Sequence, residues 1–489
     1  MSLEELRNER LKKLKRLRDA GVDPYPASTR RTHAIGEALS GFDALSEQRT
    51  TVTLAGRIVA QRGHGGLTFL DLNDGSGTIQ ALIGADKIGQ DPYEFFLSVI
   101  DVADFVEVTG TLLTTKRGER SIQADAWGML AKSVRPLPEK WHGLQDVEER
   151  YRQRALDLLF NPTVKDRFAR RFAIISSMRR FFEEHGYHEV ETPILQVIPG
   201  GATASPFKTH LNALDLDLYL RVAPELYLKR LLVGGFERVF EIGRNFRNEG
   251  MDREHNPEFT MLEAYAAYQD HSWLMDLTEQ LLVRLVTETF GSGSFSYQGK
   301  TIKVRRPFRR LMFGDLVREA SGLDYDRATV DELAARAKQL GVTVEKTMTK
   351  AVLGDEIYKK TLRANMMDPV FIVGHPKELS PLAKQIDPGN GTIARFQLIM
   401  GGFELTNGFA ELNDPVDQHE RLERQQELRE KGDEEAQRID EDYVQALEYG
   451  MPPAAGIGIG VDRLVALLTD SHSLRDILLF PTMKPRNND

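Results

Sequence analysis

Over residues 2–20, Leu3, Leu6, Leu11, Leu14 and Leu17 recur near one face of a helix, and Arg7, Arg10, Lys12, Lys13, Lys15, Arg16 and Arg18 crowd the remainder. Such a helix suits a phosphate backbone or, equally, the surface of a neighbouring domain. From Val52 to about Val134 the period shortens to strands broken by Gly and Asp turns, in VTLAGRIVAQR, GLTFLDLNDGSGTIQALI and DFVEVTGTLLTTKRGERSIQA, which predicts a small antiparallel barrel. A barrel face carrying a cation, an exposed aromatic ring and an amide can stack on and hydrogen-bond unpaired bases. Arg57 or Arg62, with Phe69 and Gln80, would supply that face, although alternation alone leaves Phe69 equally placed in the core. Arg135–Tyr151, with two prolines and a polar run, reads as a linker. Beyond it, Val164, Phe168, Phe172, Ile175, Met178 and Phe181 recur every three or four residues, predicting a helix that ends near Gly186. The strand that follows, HEVETPIL, is broken by Pro193 and is therefore expected at an edge or boundary, such as a subunit interface.

Alternation then predicts strands at Val239–Ile242 and Phe259–Ala264, separated by the polar, turn-rich stretch Asn248–Asn256. In this hairpin Arg247 could set a planar, permanently charged fork against a phosphate, and Phe259 an aromatic face against a base. Leu274–Phe290 is helical by its leucine spacing, and residues 291–390, including the helical Thr329–Leu340, read as an insertion on the catalytic body. Residues 393–413 form a strand pair or one long strand rich in acids. PPAAGIGIGVDRLVALLTDS runs from glycine-rich strand through a tight turn to helix, with Arg463 in the first turn. Its GIGIG spacing is not the G-x-G-x-x-G of dinucleotide sites, so that reading is rejected.

Composition narrows the class. The chain of 489 residues should hold two or three domains. Its net charge of −9 argues against a protein that coats nucleic acid over its whole surface, without excluding a local basic site. Charge is uneven, basic at the start and mostly acidic in Glu423–Asp442. With no cysteine, any metal must be held by oxygen or imidazole ligands, and a reducing cytoplasm is the expected compartment. No run approaches the roughly 20 apolar residues of a membrane span, so no membrane partner is expected.

HEVETPIL after a long helix, FRNEG…HNPEF, and GIGIGVDRL near the C-terminus together resemble class II aminoacyl-tRNA synthetases in order and spacing. RPLPEKWHGLQDVEERYRQR, QVIPGGA, RVAPELYLKRLLVGGFERVFEIGRNFRNEG, NGFAELNDP and LEYGMPP are similar to the lysyl-tRNA synthetases within that class, over nearly the whole chain. The resemblance implies an α+β protein, with an antiparallel-sheet class II catalytic domain, an N-terminal OB-fold that binds the anticodon, and a homodimer built around Pro193. The expected divisions are 1–48 for the basic helix and connection, 49–135 for the OB-fold, 136–150 for the linker and 151–489 for the catalytic domain. The implied partners are L-lysine, ATP and tRNA(Lys).

Residue by residue, the resemblance implies that Arg247 and Arg463 are catalytic. Arg247 would polarise the α-phosphate near the lysine carboxylate, Glu249 would take the adenine amino group, and Phe259 would stack the ring. Arg463 would cover the other face and the γ-phosphate, with His255 and Asn256 in the same nucleotide loop. Gly201 and Glu225 would hold the α-ammonium, and Glu263, Tyr265 and Glu411 the ε-ammonium, with Asn407 and Phe409 lining the pocket. Burying an ammonium demands opposite charge and hydrogen bonds, which two carboxylates and a phenol provide; an aspartate-specific site would need a cation there. Glu404 and Glu411 would hold Mg²⁺ bridging the phosphates. Seven residues apart, these two need a bulge, expected near Gly408, to face one cavity. Two departures stand out: Gln397 where the family has a further metal-binding glutamate, and Glu254 where its bacterial members have arginine, with Arg253 one place earlier as a possible substitute. Both motivate an alternative, a catalytically inactive nucleic-acid-binding relative; aspartate or asparagine specificity is the alternative within the class.

Overall fold

In Leu67–Asn73 every second side chain, Thr68, Leu70 and Leu72, is buried while its neighbours are not, the signature of a strand with one face on a core. Four more strands share that core in the computed structural model: β1 (Thr51–His64), β2 (Leu67–Asn73), β3 (Thr78–Gly84), β4 (Phe105–Thr114) and β5 (Arg120–Ala131) close a barrel in the order β1-β2-β3-β5-β4. The β3–β5 pair is parallel and the other pairs given are antiparallel. The helix Leu3–Asp19 buries Leu14 and Leu17, and Leu17 joins the barrel core, while Leu3 is exposed. Part of its basic face is used within this unit: Arg10 donates to the carbonyls of Val102 and Ser133, and Lys13 pairs with Asp101 at 2.7 Å. Lys12 and Lys15 pair within the helix, with Glu9 and Asp19.

The structure describes residues 1–138, 144, 146–345, 348–386, 391–431 and 436–486, in two compact units, Met1–Gly143 and Leu144–Asp489. Residues 139–143 and 145 of the expected linker lie outside the described residues, as do 346–347 and 387–390 of the expected insertion and 432–435 of the acidic stretch. Among the described residues no helix is long and apolar enough to cross a membrane.

The second unit is organised by an eight-stranded sheet. Its members are β6 (His188–Glu189), β10 (Arg238–Phe246), β11 (Glu258–Ala267), β14 (Arg309–Met312), β15 (Val370–Val373), β16 (Arg395–Met400), β17 (Phe403–Ala410) and β18 (Ala454–Gly460), in the order β14-β15-β16-β17-β18-β11-β10-β6. The central pairs are antiparallel, and parallel pairing is confined to the two ends, β14–β15 and β10–β6. The short β6 thus forms one edge, and Pro193 lies four residues beyond its end, outside any strand, where a missing N–H is tolerated. Two small sheets, β7 (Leu195–Gln196) with β9 (Leu216–Leu220) and β8 (Lys208–Leu211), and β12 (Ser294–Tyr297) with β13 (Lys300–Lys303), lie outside it. The helices Pro162–Glu184 and His271–Phe290 supply Phe181, Phe182, Leu281 and Leu285 to a core shared with Phe240, Leu262, Phe396 and Ile457 of the sheet. The fold is α+β. Residues 291–390 form several helices and also extend the sheet by β14 and β15.

Candidate active site

The hairpin expected from alternation is β10 and β11, paired without a slip from Arg238↔Ala266 to Phe246↔Glu258. Its base is fixed from below: buried Arg221 pairs with Glu241 and donates from Nε to the Arg244 carbonyl at 2.8 Å, while the Thr192 hydroxyl donates to Glu241 at 2.7 Å. A second buried tie, Arg171 to Asp462 at 2.7 Å, joins the helix Pro162–Glu184 to the start of the helix Val461–Leu468. Asp462 also accepts from the Thr260 backbone N–H at 2.9 Å, so β11 and Arg463, the next residue, are held in one frame.

Above this frame lies a cavity of about 370 Å³. At the end expected to take a nucleotide the Arg247 guanidinium carbon sits 5.1 Å from the centre of the Phe259 ring, and Glu249, Asn256, Glu404 and Arg463 also line the wall. The Arg247 Nε is buried with no hydrogen-bond partner among the described residues, a donor left for a ligand. Burial pulls the pKa of this guanidinium down, with Glu249 opposing. Arg463 donates to the Glu404 carbonyl at 3.2 Å and reaches His255 Nε2 at 3.1 Å. Because a guanidinium can only donate, Nε2 is the acceptor and the proton sits on Nδ1, facing Asp252 at 2.9 Å. Glu254 lines the cavity as well, and its carboxylate is 3.7 Å from Arg363, a residue of the 291–390 segment. Arg253 is exposed, and its backbone carbonyl accepts from Leu474 N–H at 3.0 Å.

The other end is acidic and deeper. Glu225, Glu263 and Tyr265 are buried in its wall with Phe409, and the Tyr265 hydroxyl donates to Glu263 at 3.1 Å. Burial, reinforced by the Glu225 charge, pushes the Glu263 carboxyl up to about 8. Asn407 Oδ1 accepts from Arg395 Nε at 2.8 Å, which fixes the amide. Gly201 has φ +88°, and a Cβ there would press on Glu225 at 2.8 Å; glycine is the residue for both demands. Glu411 stands just behind the wall, and a Cβ on Gly456 would collide with its carboxylate and with the Tyr265 ring. The Glu411 carboxylate lies 2.5 Å from the ammonium of Lys229, which also binds Glu225 at 2.6 Å. Burial alone pulls the pKa of Lys229 down; the Glu225 and Glu411 charges outweigh it and leave Lys229 raised.

The expected bulge exists but elsewhere. Leu398 pairs with Thr406 and Ile399 with Glu404, so the extra residue is Leu405 rather than one near Gly408. It brings Glu404 onto the face of Asn407, Phe409 and Glu411. Of the oxygen ligands proposed for Mg²⁺, Glu404 fits: it is half-buried at the nucleotide end. Glu411 does not, being turned onto Lys229. Nor does Gln397, whose buried Oε1 already accepts from the Tyr358 hydroxyl and from His375 Nε2, each at 3.1 Å. Among the described residues no group of three or more His, Cys, Asp or Glu is placed to hold a metal.

In the barrel unit, Arg62 on β1 is opposite Phe69 on β2, and Gln80 on β3 is opposite Asp71. Phe69 alternates with the buried Thr68 and Leu70, so it is a half-buried residue of the outer face and not core. Arg62 pairs with Asp71 at 2.9 Å, and Gln80 accepts from Ser121 at 3.2 Å. Arg57 is engaged elsewhere, 4.2 Å over the Phe105 ring.

Residues 146–484 match the family model of tRNA synthetases class II (D, K and N), and 52–130 that of the OB-fold nucleic acid binding domain. The chain belongs to the class II tRNA synthetases. This synthetase is 48% identical over 486 residues, 99% of each chain, to the lysine–tRNA ligase of Carboxydothermus hydrogenoformans. It is 49% identical over 489 residues, 100% of each chain, to that of Roseiflexus sp. RS-1, and 47% over 480 residues to that of Bacillus subtilis, covering 97% of the synthetase and 96% of the relative. Sequence reasoning missed Lys229, Arg221, Arg171, Asp462 and Arg363. Glu225 and Lys229 stand four apart on one helix, a spacing that gives the pair away, but the distant partners Glu411, Glu241 and Glu254 leave no local signal.

Proposed function

We propose that the protein is a lysine–tRNA ligase, carried by one observation: a single cavity that is cationic where a nucleotide would lie and carboxylate-walled at its deep end. ATP would stack its adenine on Phe259 under Arg463, with Glu249 accepting from the adenine amino group and Asn256 and His255 shaping the loop around it. The lysine carboxylate would attack the α-phosphorus in line, forming the acyl-phosphate bond while the bond to pyrophosphate breaks. Arg247, between the two reactants, would neutralise the charge that grows on the α-phosphate oxygens. Its free Nε supports this role. No side chain need carry a covalent intermediate, so catalysis is positioning and electrostatics. In the second step a ribose hydroxyl of the terminal adenosine of tRNA(Lys) attacks the carbonyl carbon and AMP leaves.

The amino acid would be held with its α-ammonium on Glu225 and the backbone at Gly201, and its ε-ammonium between Glu263 and Tyr265, with Glu411 adding negative charge from behind the wall and Asn407 and Phe409 along the chain. Glu404 would help to hold Mg²⁺, which would supply positive charge to the departing pyrophosphate. Arg62, Phe69 and Gln80 form a base-reading face that would take the anticodon. The exposed Ile194, Leu195 and Val197, next to the edge strand, support a homodimer through that edge. A cysteine-free protein serving translation would work in the cytoplasm. ATP–pyrophosphate exchange, assayed with each amino acid in turn at saturating Mg²⁺, tests the assignment. Exchange with lysine alone is expected; exchange driven by aspartate or asparagine instead, or by no amino acid, overturns it.

A further inference from the structure

We propose that Lys229 is a resident counter-ion that sets the charge of the amino-acid pocket to match a diammonium substrate. The inference rests on the lysine-activating reading above and explains how this pocket tells such a substrate apart. Lys229 sits one turn after Glu225 on the helix Glu225–Val233, so both side chains leave the same face. Its side chain has 0% exposure, and its ammonium is 2.6 Å from Glu225, 2.5 Å from Glu411 and 5.5 Å from the centre of the Phe409 ring. Neither Lys229 nor Glu411 lines the cavity, whereas Glu225, Glu263, Tyr265 and Phe409 do. The ammonium therefore faces the binding carboxylates from behind the wall, and a ligand entering from the front does not displace it.

Charge counting gives this position its meaning. When all three carboxylates, Glu225, Glu263 and Glu411, are ionised, the one resident ammonium leaves an excess of two negative charges in a buried site, a state that only a bound dication favours. Free lysine brings two ammonium groups, and its own carboxylate is met by Arg247. The loaded pocket is balanced; an amino acid with a single ammonium leaves one buried carboxylate bare, which is costly. Lys229 also holds the Glu225 and Glu411 carboxylates together against their mutual repulsion, so they are in place before the substrate arrives. It touches neither substrate nor reacting atoms and is a positioning residue.

The test compares the Michaelis constants for lysine and for ATP in pyrophosphate exchange by Lys229→Met, Glu411→Gln and the double variant. Each single change unbalances the pocket, and the lysine KM is expected to rise on the order of 100-fold, with the ATP KM within about threefold of the parent. The double variant restores the count, two carboxylates and no resident ammonium, so its lysine KM should fall back to within about tenfold of the parent and below that of either single variant. A merely structural lysine would move both KM values together. If Lys229→Met does not fold, the double variant against Glu411→Gln alone decides: a double variant no better than Glu411→Gln, or lysine and ATP constants that move in parallel, overturns the proposal. Lysine-dependent exchange by the parent is measured alongside; its absence would refute the lysine reading itself, whereas its presence with unchanged variants would refute only the role of Lys229.

Discussion

At the acidic end of the cavity two of the three carboxylates, Glu225 and Glu411, are already tied to Lys229 before any ligand arrives, and the walls are buried strands and a helix. At the nucleotide end the loop from Asn248 to Asn256 is largely exposed and is tied to the rest of the unit by single contacts, His255 to Arg463, Glu254 to Arg363 and the Arg253 carbonyl to the Leu474 N–H, and the neighbouring cation Arg247 has a free donor. The contrast follows from what each end must do. A flexible amino acid is recognised by two or three charges, and a site that rearranged to meet them would lose discrimination with each degree of freedom. A triphosphate must bend and release pyrophosphate, so its end can close and open around a fixed arginine.

The largest break in this comparison is Arg247→Ala. If the nucleotide end depends on one preorganised cation, lysine-dependent exchange should fall by at least about 10³-fold, with folding unchanged by circular dichroism. Robust exchange would remove Arg247 from the chemistry. Next is Glu263→Gln at the acidic end, which should raise the lysine KM by about 30- to 100-fold and leave the ATP KM alone. The same variant sharpens the contrast through pH. Glu263 moves from the ordinary 4.5 up to about 8 because burial disfavours its charge, so the ligand-free folded state holds this proton more tightly than the unfolded chain. Its contribution to stability is full below about 4.5 and is lost as pH rises through about 8. Denaturant titrations from pH 5 to 9 should show a shallower decline in the Gln variant; an unchanged slope would mean that Glu263 is ionised throughout.

The barrel gives a smaller effect. Phe69→Ala should raise the KM for tRNA about tenfold in aminoacylation while exchange, which needs no tRNA, stays at the parent rate. Smallest is Glu254→Arg. Its pair with Arg363 is long at 3.7 Å and partly exposed, so adding a cation near the phosphates should lower the ATP KM only about two- to fivefold. A large change there would show that the tip is as preorganised as the acidic end.

The same contrast marks what could be read from sequence. The hairpin, the glycine-rich strand-to-helix turn and the barrel were legible because their signals are local: alternation, turn residues and spacing. Arg247 and Phe259 followed, since each sits at a fixed step from the hairpin signal, whereas a role for Arg463 came only with the family resemblance. The buried ties were not legible, because Arg221 meets Glu241 and Lys229 meets Glu411 only through tertiary packing, and a charged residue in a sequence looks solvated until its partner is known. The parity of Glu404 and Glu411 demanded a bulge, but parity cannot say which of the intervening residues is the extra one. Pairing places it at Leu405.

That one extra residue constrains how the protein can change. A substitution at Leu405 alters packing, but deleting it would shift Phe403 and Glu404, the two strand residues before it, by one step and turn Glu404 to the opposite face of the sheet. The strand is therefore tolerant of exchange and intolerant of editing in length, so variation in this part of the gene should arrive as substitutions, with insertions and deletions confined to the loops on either side.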